Sequence, residues 1–164
     1  MGNNMTLYFS TVLGDLALEL EGQKLLSLDI RDKRAPKKRV AASSSEVNSK
    51  LAESVLIQLK NYFSSATSFK TITMELQGTA FQKSVWRELI KIPLGETRTY
   101  GEIANKLNSS ARAVGNACRR NPVPIIVPCH RVISAKGLGG YAGETGGRQL
   151  NIKRWLLKHE GALQ

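Results

Sequence analysis

The sequence contains few residues of the kinds that bind metals or transfer protons near neutral pH. Only two of its 164 residues are cysteine and two are histidine, and all four lie at or after residue 118. No two of them have the close spacing that zinc sites use. We therefore expect no metal site, and we expect any cysteine or histidine chemistry in the second half of the chain.

Long apolar segments are also missing. No apolar run approaches the length that crosses a bilayer, and the first six residues lack the basic start and apolar run of a signal peptide. Two cysteines without an export signal are typical of a reducing compartment. These observations predict a cytoplasmic protein with no membrane partner.

Positive charge, by contrast, is abundant and unevenly placed. The formal net charge is +11. Residues 1–78 carry ten Lys and Arg against eight Asp and Glu, whereas residues 79–164 carry fourteen against five, a net charge of +9. Such asymmetry is typical of a protein that binds nucleic acid. A basic surface that only keeps the protein soluble is the alternative, and charge alone does not separate the two.

Residues 1–78 are predicted to form a small supporting α/β domain that begins with strands. Strand-like segments cover 6–12, 15–21 and 24–30, and a glycine lies near each break between them. Short apolar runs separated by turn residues predict antiparallel strands joined by hairpins.

The rest of this domain is predicted to contain a helix and one further strand. Apolar residues recur at helical spacing over 46–63, which predicts an amphipathic helix. Residues 69–76 place Ile72 and Met74 on one face, as a strand would. The basic stretch 31–39 is interpreted as a solvated loop, with a secondary DNA contact as the alternative.

Residues 79–164 are predicted to form a mostly helical domain whose helices have recognisable start signals. Thr79 and Gln82 have the spacing of a capping box, and so do Thr99 and Glu102. Two short helices follow the second box, separated by a tight turn near residue 108.

The second of these short helices begins after Ser110 and is expected to end before Pro122. Two short helices with a tight turn, the second rich in Arg and Ala, fit a helix-turn-helix. An ordinary helical hairpin with a solvated basic face is the alternative, and the charge of the domain favours DNA. Helical spacing places Arg112, Asn116, Arg119 and Arg120 on one side and Ala111, Val114 and Cys118 on a core-facing side.

The candidate nucleophile is Cys129, which stands beside His130 between two apolar runs. A thiol attacks as its thiolate, and because its ordinary pKa is about 8.5 it needs a neighbouring base. Adjacent side chains tend to diverge, so we expect His130 to reach the sulfur through a water molecule, with a third group orienting the imidazole. Inert packing of a buried cysteine is the alternative.

The segment around this pair resembles a known family. Residues 121–132, which read NPVPIIVPCHRV, look like the signature of the O6-alkylguanine-DNA alkyltransferases, also called methylated-DNA–protein-cysteine methyltransferases. The similarity extends in order through 100–104, 111–115, 139–143 and 155–161. It covers nearly all of the second domain.

The resemblance implies a mixed α/β (α+β) fold. The N-terminal domain would be a small lobe of antiparallel strands plus a helix, ribonuclease-H-like in arrangement. The C-terminal domain would be a mostly helical lobe that contains a winged helix-turn-helix-like DNA-binding unit.

The resemblance also implies roles for individual residues. Cys129 would accept the alkyl group, and His130 would activate it through a bound water. Glu160, at the end of a helix over 151–159, would orient His130. Asn121 would be the hinge between the recognition helix and the reactive segment.

Other positions would contact DNA or the damaged base. Arg112 would fill the space left by a flipped nucleotide, and Tyr100 would press on the neighbouring phosphate and hydrogen-bond the base. The carbonyls of Cys129 and Val132 and the amide of Ala142 would hold the guanine edges, with Tyr141 as a pocket wall. Further DNA-backbone contacts would come from Gly101, Asn108 and Ala135.

The implied reaction needs no cofactor. The protein would flip O6-alkylguanine, and in the same way O4-alkylthymine, out of double-stranded DNA and move the alkyl group to Cys129. A thioether has no carbonyl for water to attack, so each molecule would act once. The partner would be alkylated duplex DNA, bound by a protein that is monomeric in solution and could bind DNA cooperatively.

Two other interpretations remain open. A cysteine hydrolase would use the same Cys-His-acid arrangement but would turn over. A DNA-binding module without activity would keep salt-dependent binding alone. The glycine-rich stretch 137–147 could suggest a phosphate-binding loop, but no Gly-Lys-Ser/Thr ending follows it.

Overall fold

The structure is a computed structural model that describes residues 4–32, 46–140 and 146–164, with the backbone alone for 46–49. Most of the basic stretch 31–39, together with Tyr141 and Ala142, lies outside the described residues. The chain divides into two compact units, Met1–Gln77 and Gly78–Gln164.

The first unit contains a three-stranded antiparallel sheet in the order β1-β2-β3. Its strands are β1 (Asn4–Thr11), β2 (Gly14–Glu21) and β3 (Lys24–Arg31), so the three predicted strands are confirmed. Gly14 and Gly22 adopt positive φ angles of 130° and 57° at the two hairpins, a conformation that glycine adopts without strain. The central strand supplies the buried residues Leu16, Leu18 and Leu20.

Helix α1 (Glu46–Ser65) packs against this sheet and ends two residues after the predicted 46–63. Its apolar stripe is fully buried at Val55, Leu59 and Tyr62. The Tyr62 ring also stacks on Phe69, with ring centroids 5.1 Å apart. The mixed α/β character expected from the sequence is therefore confirmed.

The strand predicted over 69–76 is wrong. This segment forms a single bridge between Leu25 and Met74, with the Leu25 amide donating to the Thr73 carbonyl and the Glu75 amide to the Leu25 carbonyl. The pairing of β3 with β2 shifts register next to Leu25, and such an irregularity bends a strand and interrupts its ladder. The alternation of apolar and polar residues in this segment therefore reflects the burial of Ile72 and not a continuous ladder of backbone hydrogen bonds.

The second unit is mostly helical. The indole of Trp86 donates a buried hydrogen bond of 2.9 Å to the carbonyl of Ala117, which ties its first helix to its third. None of the helices in the described residues is long and apolar enough to cross a bilayer. The elements in order are α2 (Ala80–Ile90), β4 (Arg98–Thr99), α3 (Tyr100–Lys106), α4 (Ala111–Arg119), a 3₁₀ turn (Cys129–Arg131), β5 (Val132–Ile133) and α5 (Gly147–His159).

The predicted start signals of these helices are confirmed. Thr79 and Thr99 each form a complete capping box, and the Ser110 hydroxyl accepts from the amide of Ala113 at the start of α4. Helix α5 begins one turn before the predicted residue 151. It ends in a Schellman motif in which Gly161 has a φ of 77° and the Ala162 amide donates to the Leu157 carbonyl.

Candidate active site and DNA-binding surface

Asn121 connects the end of α4 to the reactive segment by two hydrogen bonds. Its side-chain amide donates to the Val127 carbonyl at 2.8 Å, and its side-chain oxygen accepts from the Val123 amide at 3.0 Å. Between these contacts, the buried Ile125 has a φ of 74°, which is strained for a β-branched residue. Asn121, for which the resemblance implies a hinge, thus links two parts of one loop through its side-chain hydrogen bonds.

The acceptor candidate Cys129 opens the 3₁₀ turn and is 6% exposed. Pro128 has φ −83° and ψ 67°, and the Cys129 amide donates to the Val127 carbonyl at 2.8 Å. These angles and this bond define an inverse γ-turn. The turn fixes the direction of the Cys129 side chain from the backbone.

His130 follows in the same turn and is completely buried. Its Nε2 lies 2.8 Å from Oε1 of Glu160, the residue that caps α5. The structure therefore joins His130, which follows Cys129 in the chain, to Glu160, and the Schellman end of α5 delivers the carboxylate.

The same carboxylate has a second buried partner that the sequence did not reveal. Arg131 donates from Nε to Oε2 and from Nη2 to Oε1 of Glu160, each at 2.9 Å, and from Nη1 to the carbonyl of Ile92 at 2.7 Å. Burial alone would raise the pKa of Glu160, but the hydrogen bonds from His130 and Arg131 outweigh it and lower the pKa to about 2. Glu160 is therefore a carboxylate at neutral pH.

This ionisation fixes the tautomer of His130. Burial lowers the pKa of His130, and the opposing effect of Glu160 does not reverse the shift, so the ring is neutral at pH 7. A carboxylate only accepts hydrogen bonds, so Nε2 must carry the single ring proton. The lone pair is then on Nδ1, which is buried and has no hydrogen-bond partner among the described residues. His130 thus has a basic nitrogen available next to the cysteine in sequence.

Tyr100, at the start of α3, lies between two glycines. A Cβ atom built on Gly139 would lie 3.1 Å from the ring, and one built on Gly115 of α4 would lie 4.0 Å from it. The hydroxyl donates to the Gly140 carbonyl at 3.4 Å. Burial, with smaller effects from Cys118 and Cys129, raises the pKa of Tyr100, so the phenol keeps its proton and remains a donor.

Two further buried groups lie near the thiol. Cys118 packs in the core, as predicted, and burial raises the pKa of its thiol; no disulfide joins it to Cys129. Lys153 of α5 was missed by the sequence analysis. Its ammonium donates to the carbonyls of Val132 and Gly140 at 2.6 and 3.0 Å.

Helix α4 presents a basic face to solvent. Val114, Ala117 and Cys118 are buried, whereas the predicted core position of Ala111 is wrong. Ala111 is the first residue of the helix and is exposed there, and Ala117 takes its place in the core. The exposed polar residues of the helix are Arg112, Asn116, Arg119 and Arg120, as predicted.

A groove of about 480 Å³ runs between this face and the start of α2. Its polar lining includes Thr79, Gln82 and the two arginines Arg119 and Arg120. The groove and the basic face form a continuous surface that suits an anionic partner.

The remaining predicted contact residues occupy different environments. Gly101 is partly exposed in the first turn of α3, and Ala135 is exposed after β5. Asn108 is exposed with a φ of 50°, and the Ser109 amide donates to the Ala104 carbonyl, so Asn108 holds the left-handed position that ends α3. Val132 is fully buried beside the thiol segment.

Comparison with known proteins agrees with this geometry. The family model described as 6-O-methylguanine DNA methyltransferase, DNA binding domain, matches residues 80–162. A methylated-DNA–protein-cysteine methyltransferase of Mycobacterium leprae is 44% identical over 151 residues, covering 90% of this chain and 87% of that protein. One from Methanosarcina mazei is 54% identical over 106 residues, covering 63% of this chain and 64% of that protein.

Solved structures give the same result over more of the chain. The Mycobacterium tuberculosis O6-methylguanine methyltransferase is 35% identical with a TM-score of 0.74, covering 100% of this chain and 95% of that one. Mycobacterium tuberculosis OGT in complex with DNA is 38% identical with a TM-score of 0.75, covering 94% and 91%. The resemblance noted in residues 121–132 is confirmed, and the chain belongs to the 6-O-methylguanine DNA methyltransferase family.

Proposed function

We propose that this chain repairs DNA by moving the alkyl group of O6-alkylguanine to its own Cys129. The observation that carries the proposal is the buried His130–Glu160 hydrogen bond directly after the buried Cys129, which leaves the unprotonated Nδ1 of His130 available as a base. The methylated-DNA–protein-cysteine methyltransferase names of its relatives support the same reaction.

The first step is activation of the thiol. Glu160 holds Nε2–H of His130, so Nδ1 takes the thiol proton through one bridging water molecule, as a general base. The negative Glu160 stabilises the imidazolium that forms. Arg131 keeps Glu160 ionised and therefore keeps the base in the correct tautomer.

The second step is displacement at the alkyl carbon. The Cys129 thiolate attacks this carbon, an S–C bond forms, and the C–O6 bond breaks. Guanine leaves as an anion and takes up the proton that His130 had accepted. The product thioether has no electrophilic carbonyl, so water does not regenerate the thiol and each molecule reacts once.

DNA binding is assigned to the basic face of α4, and the α3–α4 pair is proposed to act as a winged helix-turn-helix unit. The exposed Arg119 and Arg120 of this face would supply phosphate contacts. A base inside a duplex cannot present O6 to a buried thiol, so the nucleotide has to be flipped out. Arg112, which is exposed on α4, would fill the gap that the nucleotide leaves.

The flipped base is proposed to lie between Tyr100 and the segment that follows Cys129. The carbonyls of Cys129 and Val132 would accept from the base, and Tyr141 and the Ala142 amide would complete the pocket. O4-alkylthymine presents a similar alkyl–oxygen group and is proposed as a second substrate. The N-terminal unit is assigned a supporting function, and the protein is proposed to act as a monomer that could bind DNA cooperatively.

One experiment tests the function directly. The protein is incubated with duplex DNA that contains O6-methylguanine, and its intact mass is measured together with the position of any added group. We expect one methyl group on Cys129 and at most one per molecule, none in Cys129→Ser, and an unchanged result in the matched control Cys118→Ala. Several turnovers per molecule would indicate a hydrolase, and an unchanged mass with retained DNA binding would leave only a binding module.

A further inference from the structure

Ile125 has an unusual backbone conformation for its residue type. Its φ is 74°, which glycine adopts without strain and which is an outlier for a β-branched residue. Its side chain is nevertheless fully buried. Among the described residues, the other non-glycine residues with positive φ are Ala66 and Asn108, which are not β-branched and not buried. Strain at a buried position beside a reactive segment indicates a functional constraint.

Ile125 is the central residue of a five-residue turn. The Val127 amide donates to the Val123 carbonyl at 2.9 Å, which closes an α-turn over residues 123–127. Pro124 fixes the φ angle of the residue before Ile125 at about −65°. When a proline in a tight turn is followed by a residue with positive φ, that residue is usually glycine or asparagine. The isoleucine is therefore held in this conformation by the burial of its side chain and not by its local preference.

The α-turn ends at Val127, which holds the backbone of the acceptor cysteine. The Val127 carbonyl accepts from the side-chain amide of Asn121 and from the Cys129 amide, each at 2.8 Å. Val127 is thus shared by the α-turn and by the inverse γ-turn that sets the direction of the Cys129 side chain. A rotation of the α-turn would turn this carbonyl and, with it, the Cys129 amide. The conformation of Ile125 therefore acts on the thiol through the backbone of Val127.

We propose that Ile125 is a positioning residue for alkyl transfer, whose buried side chain holds the α-turn in the left-handed conformation that directs the Cys129 sulfur at the alkyl carbon. This inference rests on the proposed function. Displacement at carbon needs the sulfur in line with the bond that breaks, and a misplacement of about 1 Å can lower such a rate about a hundredfold. Glycine in place of Ile125 would remove the strain but would leave the direction of the turn free. The effect is on the rate of the chemical step and not on the affinity for the base.

The test compares variants of Ile125 with a variant of a buried isoleucine outside the turn. Every protein is full length and carries Cys118→Ala, so that Cys129 is its one thiol. Ile125→Ala and Ile125→Gly are reacted with O6-benzylguanine over a range of concentrations, with Ile152→Ala on α5 as the matched control. We expect the maximal rate to fall at least about tenfold in both Ile125 variants and less than about twofold in the control. The half-saturating concentration should change less than about twofold in all three, because the base pocket is unaltered.

Thermal melts of the same variants test the strain itself. Glycine ordinarily destabilises a protein relative to alanine, because it loses more backbone entropy on folding. At a left-handed position this order is reversed, so Ile125→Gly should melt about 2–4 °C above Ile125→Ala while it reacts no faster. The conservative Ile125→Val keeps the β-branch and most of the buried volume. Its maximal rate should be only about two- to threefold below that of the Ile125 protein.

Any of four results would overturn the inference: an unchanged maximal rate in both Ile125 variants, an equal loss in Ile152→Ala, a change in the half-saturating concentration alone, or a melting temperature no higher for Ile125→Gly than for Ile125→Ala. If neither small variant folds, the comparison of Ile125→Val with Ile152→Val decides, and equal maximal rates would contradict the proposal. Failure of the Ile125 protein itself to react with O6-benzylguanine, with Cys129→Ser as the blank, would instead disprove the proposed function.

Discussion

Arg131 donates two parallel hydrogen bonds to Glu160, from Nε to Oε2 and from Nη2 to Oε1, at 2.9 Å each. A bidentate arginine–carboxylate pair is both strong and directional. It keeps the carboxylate ionised and turned toward His130. Two buried side chains, Arg131 and Glu160, therefore set the orientation of the His130 ring.

Replacing Glu160 by glutamine should damage both stability and reaction. Arg131 would keep its charge in a buried site without a carboxylate, which costs about 3 kcal/mol or more of unfolding free energy. The His130 tautomer would no longer be fixed, so the alkyl-transfer rate should fall at least about a hundredfold. Denaturant unfolding and O6-benzylguanine kinetics measure the two effects.

The matched control is Glu96→Gln, which removes a carboxylate from a solvent-exposed pair with Arg98. An exposed pair contributes about 1 kcal/mol or less. A loss of stability as large in Glu96→Gln as in Glu160→Gln would contradict the special position of Glu160.

Acid should weaken the fold through the same carboxylate. The pKa of Glu160 is about 2 in the fold against an ordinary 4.5, so its contribution is complete above about pH 4.5 and is lost as pH falls toward 2. It amounts to at most about 3 kcal/mol, at about 1.4 kcal/mol per pKa unit. The pKa of His130 is also lowered, so stability already begins to fall below its ordinary value of 6.5. Unfolding free energies measured from pH 7 to pH 3 should decrease steadily, and a pH-independent value would contradict both shifts.

Arg112→Ala should separate duplex repair from the chemical step. If Arg112 fills the gap left by the flipped nucleotide, the variant should lose repair of O6-methylguanine in duplex DNA while its rate with O6-benzylguanine changes little. Arg87→Ala, which removes an exposed arginine from the last turn of α2, is the control. Equal losses on both substrates would exclude the flipping function of Arg112.

Binding to undamaged duplex DNA should weaken steeply with salt. Each phosphate neutralised by Lys or Arg releases a counterion, so the logarithm of the binding constant falls linearly with the logarithm of the salt concentration. Titrations between about 50 and 200 mM salt should show affinity decreasing by at least about tenfold. A salt-independent affinity would show that the basic face of α4 does not contact phosphates.

The sequence predicted the parts of this molecule that depend on local rules. Capping boxes at Thr79 and Thr99, the Ser110 cap and the glycine end of α5 are each encoded within a few residues, and the structure contains all of them. The predicted start of α4 after Ser110, its end before Pro122 and its solvent face were correct for the same reason.

Contacts between distant residues were not predictable in this way. Arg131 meets a carboxylate 29 residues away, and nothing near Arg131 in the sequence indicates that partner. Lys153 left a signal, because it falls on the apolar stripe of α5 with Ile152 and Leu156, where a lysine is unexpected. The strand predicted over 69–76 was wrong because alternation of apolar and polar residues indicates that one face is buried. It does not show that the backbone forms a continuous ladder of hydrogen bonds.

The two hydrogen bonds of Asn121 have a mechanical consequence. Only residues 120–128 separate the end of α4 from Cys129. Three prolines restrict the backbone of that segment, and the Asn121 side chain donates a hydrogen bond to its Val127 carbonyl. A short segment that is restrained in this way deforms little when one of its ends is displaced. A shift of α4 along its axis should therefore move the Cys129 sulfur by a similar amount. If α4 binds DNA as proposed, that binding would also determine the position of the thiol.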